Sequence, residues 1–220
     1  MDQQAPTWVQ EGERTISTDE VTGGQALERQ HAGLPLAPGK VERRACESIR
    51  HGTRSFILSR DVVTGKVLAP FCGPTRTERD CLAHLQALIA TDPHAKRWHI
   101  VCDNLNTHQS EALVRWVAEL SDITEDLGVK GESGLLASMV TRAAFFRQSD
   151  QKVVFHSTPK HSSWLNQIEI GLSILVRKVL KRGSLVSVEE LEAKILAFIG
   201  YYNQTAKPFK WTSQGKALTV

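Results

Sequence analysis

The sequence lacks the features that mark several large protein classes. Its four cysteines, Cys46, Cys72, Cys81 and Cys102, form no C-x-x-C pair, which argues against a zinc site, and a disulfide framework is not expected at this size and cysteine content. No segment approaches the roughly 18 consecutive apolar residues of a membrane helix, and the N-terminus has no signal-peptide pattern. We therefore expect a cytoplasmic protein without a membrane partner.

A strong net charge is also lacking. The formal charge is +3, which by itself says little about nucleic-acid binding. The distribution is more informative, because residues 40–60 contain six basic side chains and a second basic cluster spans residues 177–182. Such clusters can bind phosphates, although a solvated protein surface has a similar composition.

What is present indicates one globular domain with ordinary composition, since 41% of its 220 residues are hydrophobic. We interpret residues 1–12 as a flexible leader, 13–212 as the domain and 213–220 as a tail. Apolar periodicity predicts strands over 14–18, 53–62, 66–73, 96–103 and 152–158, and helices over 77–92, 110–120, 162–183 and 187–204. The Pro- and Gly-rich stretch 24–40 is predicted to be a loop, and residues 121–151 an insertion.

The order of these elements determines the fold class. An antiparallel hairpin followed by alternating strands and helices predicts an α/β protein, with a mixed sheet and helices on both faces. This order matches a ribonuclease H-like arrangement.

Three acidic residues stand at the ends of core elements. Asp19 ends the first strand, Asp103 ends the central apolar run, and Glu169 lies on the helix after the last strand. An acid that ends an apolar strand is costly to desolvate unless it is paired or binds a cation, and converging carboxylates suit Mg²⁺. Each acid alone has an ordinary interpretation as a turn, cap or helix-surface residue, so the prediction depends on all three together.

Several segments resemble the catalytic domain of mariner-like bacterial insertion-sequence transposases of the DDE superfamily. They are STDEVTGGQALER (17–29), RHGTRSFILSRDVVTGKV (50–67), DNLNTHQSE (103–111), TPKHSSWLNQIE (158–169) and YYNQTAKPFKWT (201–212). The resemblance runs from about Thr15 to Thr212.

The resemblance implies specific roles for residues. The metal-binding catalytic triad falls on Asp19, Asp103 and Glu169, which would hold two Mg²⁺ ions, with Mn²⁺ able to substitute and with Asp19 bridging the metals. Asn104, His108 and Asn166 match supporting motif positions. The expected DNA-backbone contacts are Lys160, His161, Arg177 and Lys181. The implied function is DNA strand cleavage and strand transfer in transposition, by a homodimer bound to transposon ends and target DNA.

The sequence departs from the family pattern in three places. Asp103 and Glu169 are 66 positions apart (169 − 103), whereas many relatives separate them by a few dozen, which is why 121–151 is read as an insertion. Gly171 and Leu172 stand where the family commonly has an aromatic pair. The N-terminal helix-turn-helix region of the relatives has no counterpart before the first strand. Two alternatives therefore stay open: a different ribonuclease H-like nuclease, or an inactive or domesticated remnant that only binds nucleic acid.

Overall fold

The computed structural model describes residues 4–31, 34, 37–41, 43, 47–103, 109–159, 166–180 and 183–210. Its centre is a five-stranded sheet with the order β3-β2-β1-β4-β5. The strands are β1 (Glu13–Arg29), β2 (Ser48–Asp61), β3 (Val67–Gly73), β4 (Arg97–Cys102) and β5 (Val153–Ser157). β1 pairs antiparallel with β2, and β2 with β3, whereas β4 and β5 continue the sheet in parallel. The predicted mixed sheet is confirmed, with β1 in the middle.

The helices cover both faces of the sheet, as the alternation of strands and helices predicts. They are α1 (Ala5–Gln10), α2 (Glu78–Ala90), α3 (Glu111–Leu120), α4 (Met139–Phe145), α5 (Ile168–Leu175) and α6 (Val188–Gln204). A π-helical turn, Val176–Leu180, continues α5, and a 3₁₀ turn, Gly134–Leu136, precedes α4. Thr77 and Ser110 cap α2 and α3 with their side chains, as expected.

Two apolar cores result, one on each face. Ile57 on β2 belongs to the core under α2, α3 and α4, whereas its neighbours Phe56 and Leu58 belong to the core under α5 and α6. This alternation is the period-two geometry of a strand that is buried on both sides. Ile16 of β1 and Ile100 of β4 belong to the first of these cores, and Ala26 of β1 belongs to the second.

Three of the predicted boundaries are wrong. The leader contains α1, and Ala5 is fully buried. Residues 24–29 are not loop but the distal half of β1, because they pair with β2 from Arg54 back to Ser48. The helix predicted to begin at residue 162 begins at Ile168, since Asn166 and Gln167 form a bend and a turn; residues 162–165 lie outside the described part of the chain.

The segment 121–151 packs onto the sheet. Leu136, Phe145 and Phe146 are buried in the core that contains α2 and α3, and Phe146 accepts a backbone hydrogen bond from Phe155 of β5 at 2.8 Å. Its origin as an insertion stays a prediction.

The remaining sequence expectations concern thiols and membranes. Cys72, Cys81 and Cys102 are free thiols, and Cys46 lies outside the described residues. None of the helices in the described part of the chain has the length and apolar character required to cross a bilayer.

Candidate active site

The parallel pairing of β1 with β4 ends just before Asp19 and Asp103. Asp19 itself lies within β1, which continues to Arg29, so the prediction that Asp19 ends the first strand is wrong. β1 and β4 are parallel neighbours, with Ile16 opposite Ile100 and Ser17 opposite Val101. Asp19 is two residues beyond Ser17 and Asp103 is two residues beyond Val101, so the continued register brings the two acids side by side on one face. That register explains why two acids separated by 84 positions (103 − 19) in sequence become neighbours.

An irregularity in β1 follows Asp19 directly. The pairing with β2 shifts register between Val21 and Gly24. Gly23 has φ +68°, a conformation that favours glycine, and a Cβ on Gly24 would come within 2.8 Å of the Phe56 ring. Bulges of this kind bend a strand and are frequent beside active sites. Here the bulge separates the part of β1 that carries Asp19 from the distal part, Gly24–Arg29, which pairs with β2.

The start of α5 is joined to β1 next to Asp19. Asn166 is fully buried; its Oδ1 accepts a hydrogen bond from the Ser17 hydroxyl, and its Nδ2 donates to the Thr18 carbonyl at 2.9 Å. The Ser17 Oγ in turn accepts the backbone N–H of Ile168 at 2.8 Å. A buried Asn166 does not reach DNA, so its contacts suit a role in orienting the acids.

Glu169 lies in the first turn of α5 beside an open cleft. Ile168 and Leu172 are buried in the core, as the i, i+4 pattern predicts, and Glu169 is left at the surface of the helix. The cleft has a volume of about 730 Å³ and is lined by Glu20, Val21, Thr22, Glu169, Leu172, Ser173, Val176 and Arg177. Arg177 is exposed at this cleft, where a phosphate can reach its guanidinium group.

The three acids interact electrostatically. Burial, together with the negative charges of Glu169 and Asp103, raises the pKa of Asp19 to about 7, against the opposing hydrogen bond from the Glu20 N–H. Coulomb interactions extend beyond ligand distances. Within the part of the chain that the structure describes, no three His, Cys, Asp or Glu side chains lie in an arrangement that could hold one metal ion. The carboxylates thus share one electrostatic environment without forming a closed ligand set.

The other predicted site residues lie outside the described part of the chain. They are Asn104 and His108 after Asp103, and Lys160, His161 and Lys181 around α5. Sequence reasoning missed Ser17, whose contacts join α5 to β1. The available signal was a hydroxyl side chain two residues before Asp19, on the same face of the strand.

Comparison with known proteins identifies the family. The model of a protein family described as DDE superfamily endonuclease matches residues 14–192, which is most of the chain. The chain belongs to the DDE superfamily endonucleases. No curated protein sequence matches it. The resemblance stated from the sequence motifs is therefore confirmed.

Solved structures of a DDE-type transposase share the fold. The Mos1 mariner paired end complex with Mn has a TM-score of 0.53 to this chain at 13% identity, over 91% of this chain and 54% of that one. A pre-cleavage Mos1 transpososome has a TM-score of 0.51 at 11% identity, over 90% and 54%. This chain therefore spans about half the length of the Mos1 chains. The expected ribonuclease H-like fold is confirmed by this match.

Proposed function

We propose that this endonuclease is a transposase catalytic domain that cleaves DNA strands and joins them to target DNA. One observation carries the proposal: in a chain of the DDE superfamily, the charges of Glu169 and Asp103 act on Asp19 of the central strand. Carboxylates that are held together against their mutual repulsion are typical of sites for cations.

Asp19, Asp103 and Glu169 would hold two Mg²⁺ ions, or Mn²⁺ in their place. Their carboxylate oxygens are the ligand type that these cations prefer, and a cation would remove the charge repulsion that raises the pKa of Asp19. When bound, the metals would activate the attacking oxygen and stabilise the leaving oxygen of a phosphodiester. Asp19 lies on the middle strand, between β2 and β4, which makes it our choice for the carboxylate shared by both ions.

The partner we propose is DNA, bound by a homodimer. Arg177 would contact the phosphate backbone from the cleft beside Glu169, together with Lys160, His161 and Lys181. Such contacts position a nucleic acid without reading its sequence. Mos1 was solved as a paired end complex, and two catalytic domains acting on two transposon ends suit that kind of assembly. The compartment we propose is the cytoplasm.

The proposal is tested by cleavage of supercoiled plasmid DNA with the purified chain. We expect nicking that requires Mg²⁺ or Mn²⁺ and that is lost in Asp19→Asn, Asp103→Asn and Glu169→Gln. The matched control is Asp122→Asn, because Asp122 is exposed and has φ +54°, which asparagine tolerates well. Retained cleavage by Asp103→Asn would show that the triad is wrong.

Parallel substrates separate the alternatives. A different ribonuclease H-like nuclease would cleave an RNA–DNA hybrid and leave duplex DNA intact. A remnant would bind DNA and cleave neither substrate, although it folds. A transposase domain should also join a pre-cut 3′-hydroxyl end to plasmid DNA, so a strand-joining assay with a labelled end is the more specific test.

A further inference from the structure

The joint between β1 and α5 has a second feature: the N-terminus of α5 lacks a cap of its own. Gln167, at the N-cap position, has helical backbone angles and makes no side-chain capping hydrogen bond. The first backbone N–H groups of a helix need partners from outside it. The Ile168 N–H finds its partner in Ser17 of β1, at 2.8 Å.

Ser17 fulfils this role with both functions of its hydroxyl group. The oxygen accepts from Ile168 and the hydrogen is donated to Asn166 Oδ1, so one side chain holds the last turn before α5 and the first residue of the helix. Ser17 is almost fully buried. Water therefore does not replace these bonds readily, and each is costly to lose.

The position of Ser17 relates this joint to the candidate active site. Ser17 lies two residues before Asp19 on the same face of β1, and Ile168 directly precedes Glu169. A shift or rotation of α5 against β1 would change the separation of the two carboxylates. Asn166 Nδ2 also donates a hydrogen bond to the Thr18 carbonyl at 2.9 Å, so α5 is joined to the backbone of β1 as well as to the Ser17 side chain.

We propose that Ser17 is a positioning residue, which caps α5 from the neighbouring strand and so fixes the distance between Asp19 and Glu169. The proposal rests on the function proposed above, in which these acids bind divalent metal. Outer contacts that orient metal-binding side chains typically change metal affinity by about 10- to 100-fold when they are removed. We therefore expect loss of the Ser17 hydroxyl to weaken metal binding, although this hydroxyl is not one of the proposed metal ligands.

The first measurement is amide hydrogen exchange of the metal-free full chain. Ser17→Ala should speed exchange at Ile168 by about tenfold, the size expected for one lost neutral hydrogen bond. Ser17→Thr keeps the hydroxyl and should restore the slow exchange. Thr15→Val is the matched control, because Thr15 is buried two residues earlier on β1 and its hydroxyl has no hydrogen-bond partner among the described residues.

The second measurement is Mn²⁺ binding, followed by the loss of the free-ion electron paramagnetic resonance signal. Ser17→Ala should weaken binding by about tenfold, and Thr15→Val should leave it unchanged. Ile195→Val removes one methylene from the apolar core beneath α5 and α6. This variant should lower stability and leave Mn²⁺ affinity intact, which separates positioning from general destabilisation. Ser17→Ala with unchanged exchange at Ile168, or with unchanged Mn²⁺ affinity, would overturn the inference.

Failure of the proposed function gives a different pattern. If the unsubstituted chain binds no Mn²⁺, or if Asp19→Asn binds it equally well, the metal site is wrong. The proposed effect of Ser17 on metal binding is then wrong as well. The exchange rates at Ile168 still decide whether Ser17 caps α5.

Discussion

At the scale of single residues, the ionisation of Asp19 differs between the folded and the unfolded chain. It lies half-buried within β1, just beyond the part of the strand that pairs with β4, and two other acids act on its charge. Its one described compensation is the Glu20 N–H, 2.8 Å from Oδ1. A carboxyl in this position is stabilised either by a proton or by a cation, and metal binding should therefore compete with protonation.

The first prediction concerns stability against pH. The pKa of Asp19 is about 7 in the folded chain, against an ordinary value of 3.8 for an exposed aspartate. The folded state therefore binds this proton more tightly than the unfolded chain does. The free energy of unfolding without metal should fall as pH rises from about 4 to about 7. Asp19→Asn removes the cost and should raise the free energy of unfolding at pH 8 by roughly 1–3 kcal/mol, after allowance for solvent screening.

Urea denaturation at pH 5 and pH 8 measures this effect. The gain from Asp19→Asn should be small at pH 5 and should shrink at pH 8 when Mg²⁺ is added to both proteins. Asp122→Asn, at an exposed position, should show no such pH dependence. An equal gain at both pH values would mean that Asp19 is not protonated more readily in the folded chain.

At the scale of elements, α1 depends on a contact that only the folded chain provides. The Trp8 ring stacks on His99 with centroids 3.9 Å apart. His99 contacts His156 through Nδ1 at 2.9 Å and Glu13 through Nε2 at 2.7 Å, and Arg97 also pairs with Glu13. Burial, with the neighbouring His99 charge, lowers the pKa of His156 to about 4.

A second prediction follows for acid conditions. The unfolded chain protonates His156 near its ordinary pKa of 6.5, whereas the folded chain resists protonation until about pH 4, so stability should be lost as pH falls from about 6.5 to 4. His156→Gln should reduce that loss by roughly 1–2 kcal/mol. Denaturation curves at pH 7 and pH 5 test it, and an unchanged difference between the two pH values would contradict it.

A third prediction concerns the glycine of α5. A Cβ on Gly171 would meet Ile168 Cδ1 at 3.7 Å, an ordinary contact, so Gly171→Ala should stabilise the chain by about 1 kcal/mol through helix propensity. Gly65→Ala is the opposite case, since its Cβ would lie 2.1 Å from the Lys207 carbonyl oxygen at φ +76°. Melting temperatures of both variants check this; a destabilised Gly171→Ala would show that α5 is packed more tightly than described.

The sequence predicted elements where local pattern and tertiary packing agree. Short-range signals predict the β2–β3 hairpin, α2 with its Thr77 cap, and β4, which ends just before Asp103. Other features depend on distant partners. The six-residue segment APTWVQ is too short to show helical periodicity, and the residue on which Trp8 stacks, His99, is 91 positions away (99 − 8).

The candidate site divides in the same way. The acids could be found from the sequence because each ends or follows an apolar element. Their neighbourhood could not be derived from spacing, because it depends on the parallel register of β1 with β4. The start of α5 at Ile168 could not be predicted from the local sequence either, because Asn166 lies outside the helix and bonds with Ser17 and Thr18 of the distant strand β1.

At the scale of the whole molecule, charge matters through its placement. With a net charge of +3, the protein has little general attraction for DNA, and binding depends on local groups such as Arg177 at the cleft. Lys130 lies in the segment between the end of α3 and the start of β5. Lys130 is exposed and is not among the residues that line the cleft.

This contrast gives a fourth prediction. The chain should bind duplex DNA with a dissociation constant of about 10⁻⁴–10⁻⁶ M at physiological salt and with little sequence preference. Arg177→Ala should weaken binding to all sequences alike and reduce the salt slope by about one, whereas Lys130→Ala should change neither. Fluorescence anisotropy at several salt concentrations measures this. A preference above about 1,000-fold for one sequence would reveal a base-reading element.

The claim on which the account depends is that Asp19, Asp103 and Glu169 form one metal site. Anomalous diffraction from crystals of the full chain grown with Mn²⁺ tests it most directly. We predict two Mn²⁺ peaks about 4 Å apart, with Asp19 contacting both, and loss of a peak in Asp103→Asn. Peaks bound elsewhere, or acids that point to opposite faces of the sheet, would contradict the account.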